Sequence, residues 1–303
     1  MRHAVSIACV ILSAAGCGAP PHIRTSAELD DTPLYVFSER ELDRYLKSIE
    51  TDRRTVTQRI ALLARKNIGQ PCRLSLLGEY PFELIDPDPL YCLSASDCVT
   101  FVEQTWAMAL SRDWPTFFNT LQRIRYKDGK IGILTRNHFT EADWNVNNAW
   151  LFEDVTEAVA NGQARAMTVP INRNRFFATF GLETDMPVQR FETRCIPTQI
   201  LPVCLPNLQT GDVIEFVRGT AEAPYVGHMG LCLRTGYDCR LIHSTKPAVL
   251  EESLLEYIRR HDSILGIKVL RVRESLLYPS GQNGRTMSGQ THHPHPLIPN
   301  QKE

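Results

Sequence analysis

Three side chains that lie far apart along a chain of 303 residues have the chemistry of a thiol nucleophile and its base: Cys98, His228 and His243. Cys98 follows Ser94-Ala95-Ser96-Asp97. It opens a run in which Val99, Val102, Trp106, Ala109 and Leu110 recur at the spacing of one buried helical face. Ser94, Ser96 and Asp97 are N-cap residues by type, and Asp113-Trp114-Pro115 ends the run. In the first turn of such a helix, free backbone N–H groups and the helix dipole favour an anion, so a thiolate is expected to be stabilised there. The same N–H groups can hold an oxyanion on a substrate carbonyl. On this stretch alone, a small core residue accounts for Cys98 equally well.

The histidines change the balance. His228 lies in Gly227-His228-Met229-Gly230-Leu231-Cys232-Leu233-Arg234, and His243 lies near the end of Arg240-Leu241-Ile242-His243-Ser244-Thr245. Both segments have strand character, and Gly236-Tyr237-Asp238 turns between them. Antiparallel pairing brings the two strand ends together and allows both imidazoles onto one face. Thiol catalysis needs this arrangement. One imidazole takes the thiol proton and later protonates the leaving amine, while a second group fixes its orientation and tautomer. A lone strand histidine is usually structural; two so placed, with a cysteine at a helix start, point to a site.

The elements that must position them read as helices first and strands afterwards, an α+β order. Residues 39–69 hold two amphipathic stripes, Leu42, Tyr45, Leu46 and Ile49, then Val56, Ile60, Leu63 and Ala64. Phe117 to Ile124 and Leu151 to Ala160 read as further helices, with a hairpin turn at Tyr126 to Lys130. Strands are expected at Asp212 to Val217, over the two histidine segments, and at Val269 to Val272. Arg173 to Arg190 has no clear periodicity. The segment Thr135 to Asn145 is dense in polar and aromatic residues: Arg136 suits a carboxylate and Trp144 a sugar or apolar group, although a solvated loop with an anchoring Trp has the same composition. Tyr91, Asp97, Arg136, His138, Asp143 and Trp144 are the candidate substrate-binding residues.

Net charge is −1, with no basic face, which argues against a nucleic-acid partner. Residues 1–17 read as a signal peptide: Arg2 and His3, an apolar stretch from Ala4 to Ala15, and small residues ending at Gly16-Cys17. The Ala15-Gly16-Cys17 ending resembles a lipobox with Ala14 in place of its usual leucine, which leaves two alternatives: lipidation with membrane attachment through Cys17, or ordinary cleavage. Either way the protein is expected to be exported to the periplasm. Residues 18–38 read as a linker, 39–278 as the domain, and 279–303 as a disordered tail in which His292, His293 and His295 are solvated. Export also permits disulfides. Proximity suggests Cys195–Cys204 and Cys232–Cys239, leaving Cys72–Cys92, although spacing does not fix connectivity. There is no CxxC, and neither a metal nor a cofactor is called for.

Asp97-Cys98, Gly211-Asp212-Val213, Gly227-His228-Met229-Gly230 and Leu241-Ile242-His243-Ser244 together resemble the NlpC-type papain-like superfamily of bacterial cell-wall hydrolases. The resemblance implies a papain-like core, a nucleophile helix packed on an antiparallel sheet, with Cys98 as nucleophile, His228 as base and His243 as the polar third member. More narrowly, Asp97-Cys98-Val99-Thr100-Phe101-Val102-Glu103 and the stretch from Arg136 to Trp144 resemble the N-acetylmuramoyl-L-alanine amidase-like branch. That branch implies cleavage of the amide between muramic acid and L-alanine, sometimes on 1,6-anhydro muropeptides. The resemblance runs from about Gln58 to Val272. The superfamily's usual Ser-Gly after the cysteine is Val99-Thr100 here, and Val169 to Asn207 has no counterpart in it. A D,L-endopeptidase of stem peptides, a cysteine acyltransferase and a non-catalytic peptidoglycan-binding lipoprotein are the competing readings.

Overall fold

The computed structural model describes residues 24–277 apart from 53 and 237. The signal segment, Cys17 and the tail from residue 279 lie outside the described residues. Five helices form one layer: α1 (Ser26–Asp31), α2 (Glu39–Thr51), α3 (Val56–Lys66), α4 (Cys98–Ala109) and α5 (Trp114–Arg125). Each starts with the same local device. Thr25, Ser38, Thr55, Asp97 and Asp113 accept from the N–H three residues on, and the residue at that position bonds back to the cap. The segment read as a linker is therefore partly structured, and Leu29, Leu34 and Phe37 bury themselves in the main core because their apolar area is better removed from water.

α4 is buried on every side from Thr100 to Ala109 and packs on α3, α5 and the central strands. Behind it lies one antiparallel sheet, built from β1 (Phe152–Asp154), β2 (Arg165–Ile171), β3 (Gln189–Pro197), β4 (Val213–Gly219), β5 (Pro224–Thr235), β6 (Asp238–Ser244), β7 (Val249–Ser253) and β8 (Gly266–Val272). The spatial order is β2-β3-β8-β4-β5-β6-β7, with β1 also paired to β8. Period-two alternation divides each central strand between two cores. Val213, Met229, Leu231, Ile242 and Leu270 face the helical layer. Ile214, Phe216, Cys232, Leu241 and Val269 face the short helices Leu201–Cys204 and Leu254–Arg259. The fold is thus α+β with an antiparallel sheet.

Several expectations need correcting. The helix expected over Leu151 to Ala160 is strand β1 followed by a single turn, Thr156–Val159, because the Val155 N–H donates to Val269 O of β8 and the Val269 N–H donates back to the Thr156 hydroxyl. Arg173 to Arg190 contributes the helix Arg173–Ala178 and the start of β3, which pairs with β2 in a hairpin. Of the suggested disulfides only Cys232–Cys239 forms, Cα to Cα 6.0 Å across the β5–β6 hairpin. Cys195, Cys204, Cys72 and Cys92 remain unpaired.

Candidate active site

Cys98 is the first residue of α4, and Asp97 is its cap, its Oδ1 accepting from Thr100 N at 2.8 Å. The thiol sits where the sheet opens. β5 pairs with β6 only as far as Leu231 opposite Ile242, so the ladder ends just short of Met229. The Met229 N–H and the Val99 N–H both act on Cys98 and favour its thiolate. Burial is the larger influence, however, and with the neighbouring Asp97 charge it pushes the thiol up to about 12. The helix start thus favours the thiolate as expected, but less strongly than burial disfavours it, so a reaction at this sulfur needs a partner to take the thiol's proton.

The candidate base is adjacent in the chain to Met229. His228 opposes Phe216 in the register, directly after a bulge at Gly227 that shifts the β4–β5 pairing. Its ring lies against Phe216 and Tyr257, and its Nε2 is 2.6 Å from Nδ1 of His243. Gly230 makes this pairing achievable. A Cβ on Gly230 would stand 2.8 Å from the Cβ of His243 and 2.8 Å from Leu241 Cδ1, so only glycine lets His243 fold across β5 toward His228. His243 is fully buried, and its Nε2 lies 3.1 Å from Glu252 Oε1, whose other oxygen bonds Arg260. Burial lowers both imidazoles; that of His228 falls to about 3, helped by His243, Arg218 and His261. Both rings are neutral at neutral pH. No hydrogen bond joins Cys98 to His228 among the described residues, and His228 Nδ1 has no partner there. Catalytic contacts of this kind commonly tighten only with substrate bound.

Beside the start of α4 lies a cleft of about 530 Å³, lined among others by Asp97, Thr100, Asp86, Arg136, His138 and Phe180. Arg136 does hold carboxylates, but they are the protein's own: Asp86 at 2.8 Å and Glu79 at 3.2 Å. His138 bonds Ile133 O at 2.7 Å and packs on Phe176 and Phe177; burial lowers it to about 4. Asp143 is paired with Arg173 and accepts from Phe139 N at 3.1 Å. Trp144 is 1% exposed, stacks on Phe152 and donates to Glu103 Oε1 at 3.0 Å, so it offers no ring face to a sugar. Tyr91 bonds Glu39 and packs on Trp114 and Phe118, away from the cleft lining.

Glu252 and Tyr257 escape sequence reasoning. The available signal for Glu252 is strand register: β7 pairs with β6, and Glu252 shares a face with His243. Phe176 and Phe180 were equally hidden, since they arrive from the segment without periodicity. Among the described residues, no group of three or more His, Cys, Asp or Glu side chains is placed to hold a metal.

The model of a family described as AmiA-like, N-acetylmuramoyl-L-alanine amidase-like, matches residues 63–267. Solved structures share the fold. A Legionella pneumophila protein superposes with TM-score 0.69 at 22% identity, over 82% of this chain and 97% of that one. A structure described as an N-acetylmuramoyl-L-alanine amidase from Bacteroides uniformis gives 0.60 at 24% identity, over 72% and 99%. One described as a putative xylanase from Bacteroides fragilis gives 0.55 at 25%, over 69% and 98%. No curated protein matches the chain.

Proposed function

We propose that this chain, which belongs to the AmiA-like, N-acetylmuramoyl-L-alanine amidase-like family, is a cysteine amidase. It cuts the amide between N-acetylmuramic acid, including its 1,6-anhydro form, and L-alanine in peptidoglycan fragments. The observation that carries the reading is the 2.6 Å His228–His243 contact one residue from Met229, whose N–H acts on Cys98 at the start of a buried helix. In this reading the site has the NlpC-type, papain-like arrangement of thiol, imidazole and a polar third member.

His228 removes the Cys98 proton as the sulfur attacks the lactyl carbonyl. The Cys98 N–H, free at the helix start, helps hold the oxyanion of the tetrahedral intermediate. His228 then protonates the departing alanine nitrogen, and the C–N bond breaks to leave a thioester on Cys98. Water, deprotonated by His228, releases the muramic acid carboxylate and restores the thiol. His243 orients His228 throughout. The substrate's glycan and peptide lie along the cleft beside α4. Export, with Cys17 lipidated and anchoring the chain to a membrane, places the enzyme with this substrate.

Mass spectrometry of anhydro and reduced muropeptides, incubated with wild type and Cys98→Ala, tests the proposal. Intact sugar plus a free peptide beginning with L-alanine, released by wild type alone, is the expected result. Cleavage inside the stem peptide would transfer the protein to the endopeptidases, and equal turnover by Cys98→Ala would sink the cysteine mechanism.

A further inference from the structure

The relay does not stop at His243. Its Nε2 meets a carboxylate, Glu252 Oε1, at 3.1 Å, and the second oxygen of Glu252 is held by Arg260. A carboxylate only accepts, so His243 donates from Nε2. A neutral imidazole with its proton on Nε2 has a bare Nδ1, and that Nδ1 is the atom 2.6 Å from His228 Nε2. His228 therefore donates from Nε2, and its own Nδ1 is left bare and without a partner among the described residues.

We propose that Glu252 is a positioning residue that fixes the tautomers of both histidines, holding a proton on Nε2 of each so that Nδ1 of His228 is the base. The proposal rests on the cysteine mechanism above. Neutrality of the two rings is what lets one carboxylate set both. The surroundings favour it: Arg218 bonds the Tyr257 hydroxyl at 3.1 Å, Arg260 sits on Glu252, and His261 packs on Tyr257 with ring centres 4.3 Å apart. Tyr257 in turn lies edge-on to His243 at 4.8 Å and against His228 at 5.7 Å, excluding water from the pair. Cys98 is the remaining titratable group that bears on this cluster.

Glu252→Gln is the discriminating substitution. Arg260 only donates, so the amide oxygen turns to it and the NH₂ turns to His243. His243 must then accept at Nε2 and donate from Nδ1, and the proton of His228 moves to Nδ1, where it blocks the base. The loss expected is about 10- to 100-fold in kcat with KM within about twofold, the size seen when an outer partner of a catalytic group is removed. Adding Arg260→Ala frees the amide to present its oxygen, so the double variant recovers part of the rate.

The experiment is ¹⁵N-histidine NMR of the full chain at neutral pH, wild type and Glu252→Gln, beside muropeptide kinetics. Wild type is expected to show His228 and His243 protonated at Nε2, and the variant to show both protonated at Nδ1. A wild-type spectrum with the proton on His228 Nδ1 would overturn the proposal whether or not the variant folds. So would a folded Glu252→Gln protein with unchanged tautomers and kcat within twofold. Failure of the cysteine mechanism is read separately, from turnover by Cys98→Ala, and does not alter the spectra.

Discussion

Two polar clusters flank the first turns of α4, and they are built on opposite plans. In the stretch from Arg136 to Trp144 the prominent polar groups face protein: Arg136 meets Asp86 and Glu79, Asp143 meets Arg173, and Trp144 meets Glu103, which also pairs with Arg125 at 3.0 Å. On the sheet, the line Arg260–Glu252–His243–His228 is bonded at each joint but ends on a ring nitrogen with no partner among the described residues. The first pairs its charges with one another and ties helices to loops, with Glu79 Oε2 and Arg125 Nε buried and left without a hydrogen-bond partner among the described residues. The second is open at one end, one residue from Met229, whose N–H acts on Cys98. A polar network whose charges are paired with one another stabilises a fold, whereas one that ends on a free basic nitrogen keeps a group available for chemistry.

Removing the Cys98 thiol, and separately breaking the charge network beside α4, should separate activity from stability. Cys98→Ala is expected to lower kcat/KM on the cleaved muropeptide by more than about 10³-fold while the thermal midpoint stays unchanged, and parallel turnover and melting measurements check both. Glu103→Ala should act chiefly on stability. It strands Arg125, only 5% exposed, and deprives Trp144 of its acceptor, at a cost of about 3–5 kcal/mol seen as a midpoint roughly 10 °C lower.

Smaller changes sharpen the contrast. Gly230→Ala drives a methyl group to 2.8 Å from His243 Cβ, so His243 must move off His228. A fall in kcat of about tenfold, accompanied by about 1–3 kcal/mol of destabilisation in a denaturant titration, is the expected outcome. A rate within twofold of wild type would show that His243 need not sit where it does.

The pH dependence follows from the direction of the shift at His228. Its folded value, about 3, lies below the ordinary 6.5, so between these values the unfolded chain binds a proton that the folded chain does not. Stability held above pH 6.5 is therefore lost as pH falls toward 3, and His228→Gln should flatten that slope in denaturant titrations. Activity should show no inflection near 6.5 from this base, since it is neutral well below that pH; a clear acid limb there in kcat/KM would contradict the assignment. The smallest effect is expected at the cleft wall. Phe180→Ala removes an aromatic face from the lining and should raise KM a few-fold with kcat unchanged, the signature of lost uniform binding.

Much of this design could be read along the chain, because it depends on local rules. The apolar spacing after Cys98, the cap at Asp97 and the turn at Gly236 place Cys98 at a helix start and two histidines on neighbouring strands, and α4, β5 and β6 follow those lines. Segments such as 151–160 and 173–190 were not legible, since their strands are held by pairing with β8 and β2, partners distant or irregular in sequence. The Arg136–Trp144 stretch misled for a related reason: residue type shows what a side chain can bond, not whether the protein already supplies the partner.

The sequence by itself thus determined the helix that carries Cys98 and the hairpin that carries His228 and His243, through periodicity, capping and turn chemistry that act within a few residues. Tertiary structure alone decided three other things. Burial set the thiol and imidazoles neutral, because desolvation depends on everything packed around a group. Strand register brought Glu252 to His243, because β7 had to pair with β6 before the two could meet. Enclosure removed Trp144 from the cleft, because its ring is stacked on Phe152 and its N–H is tied to Glu103 within the core.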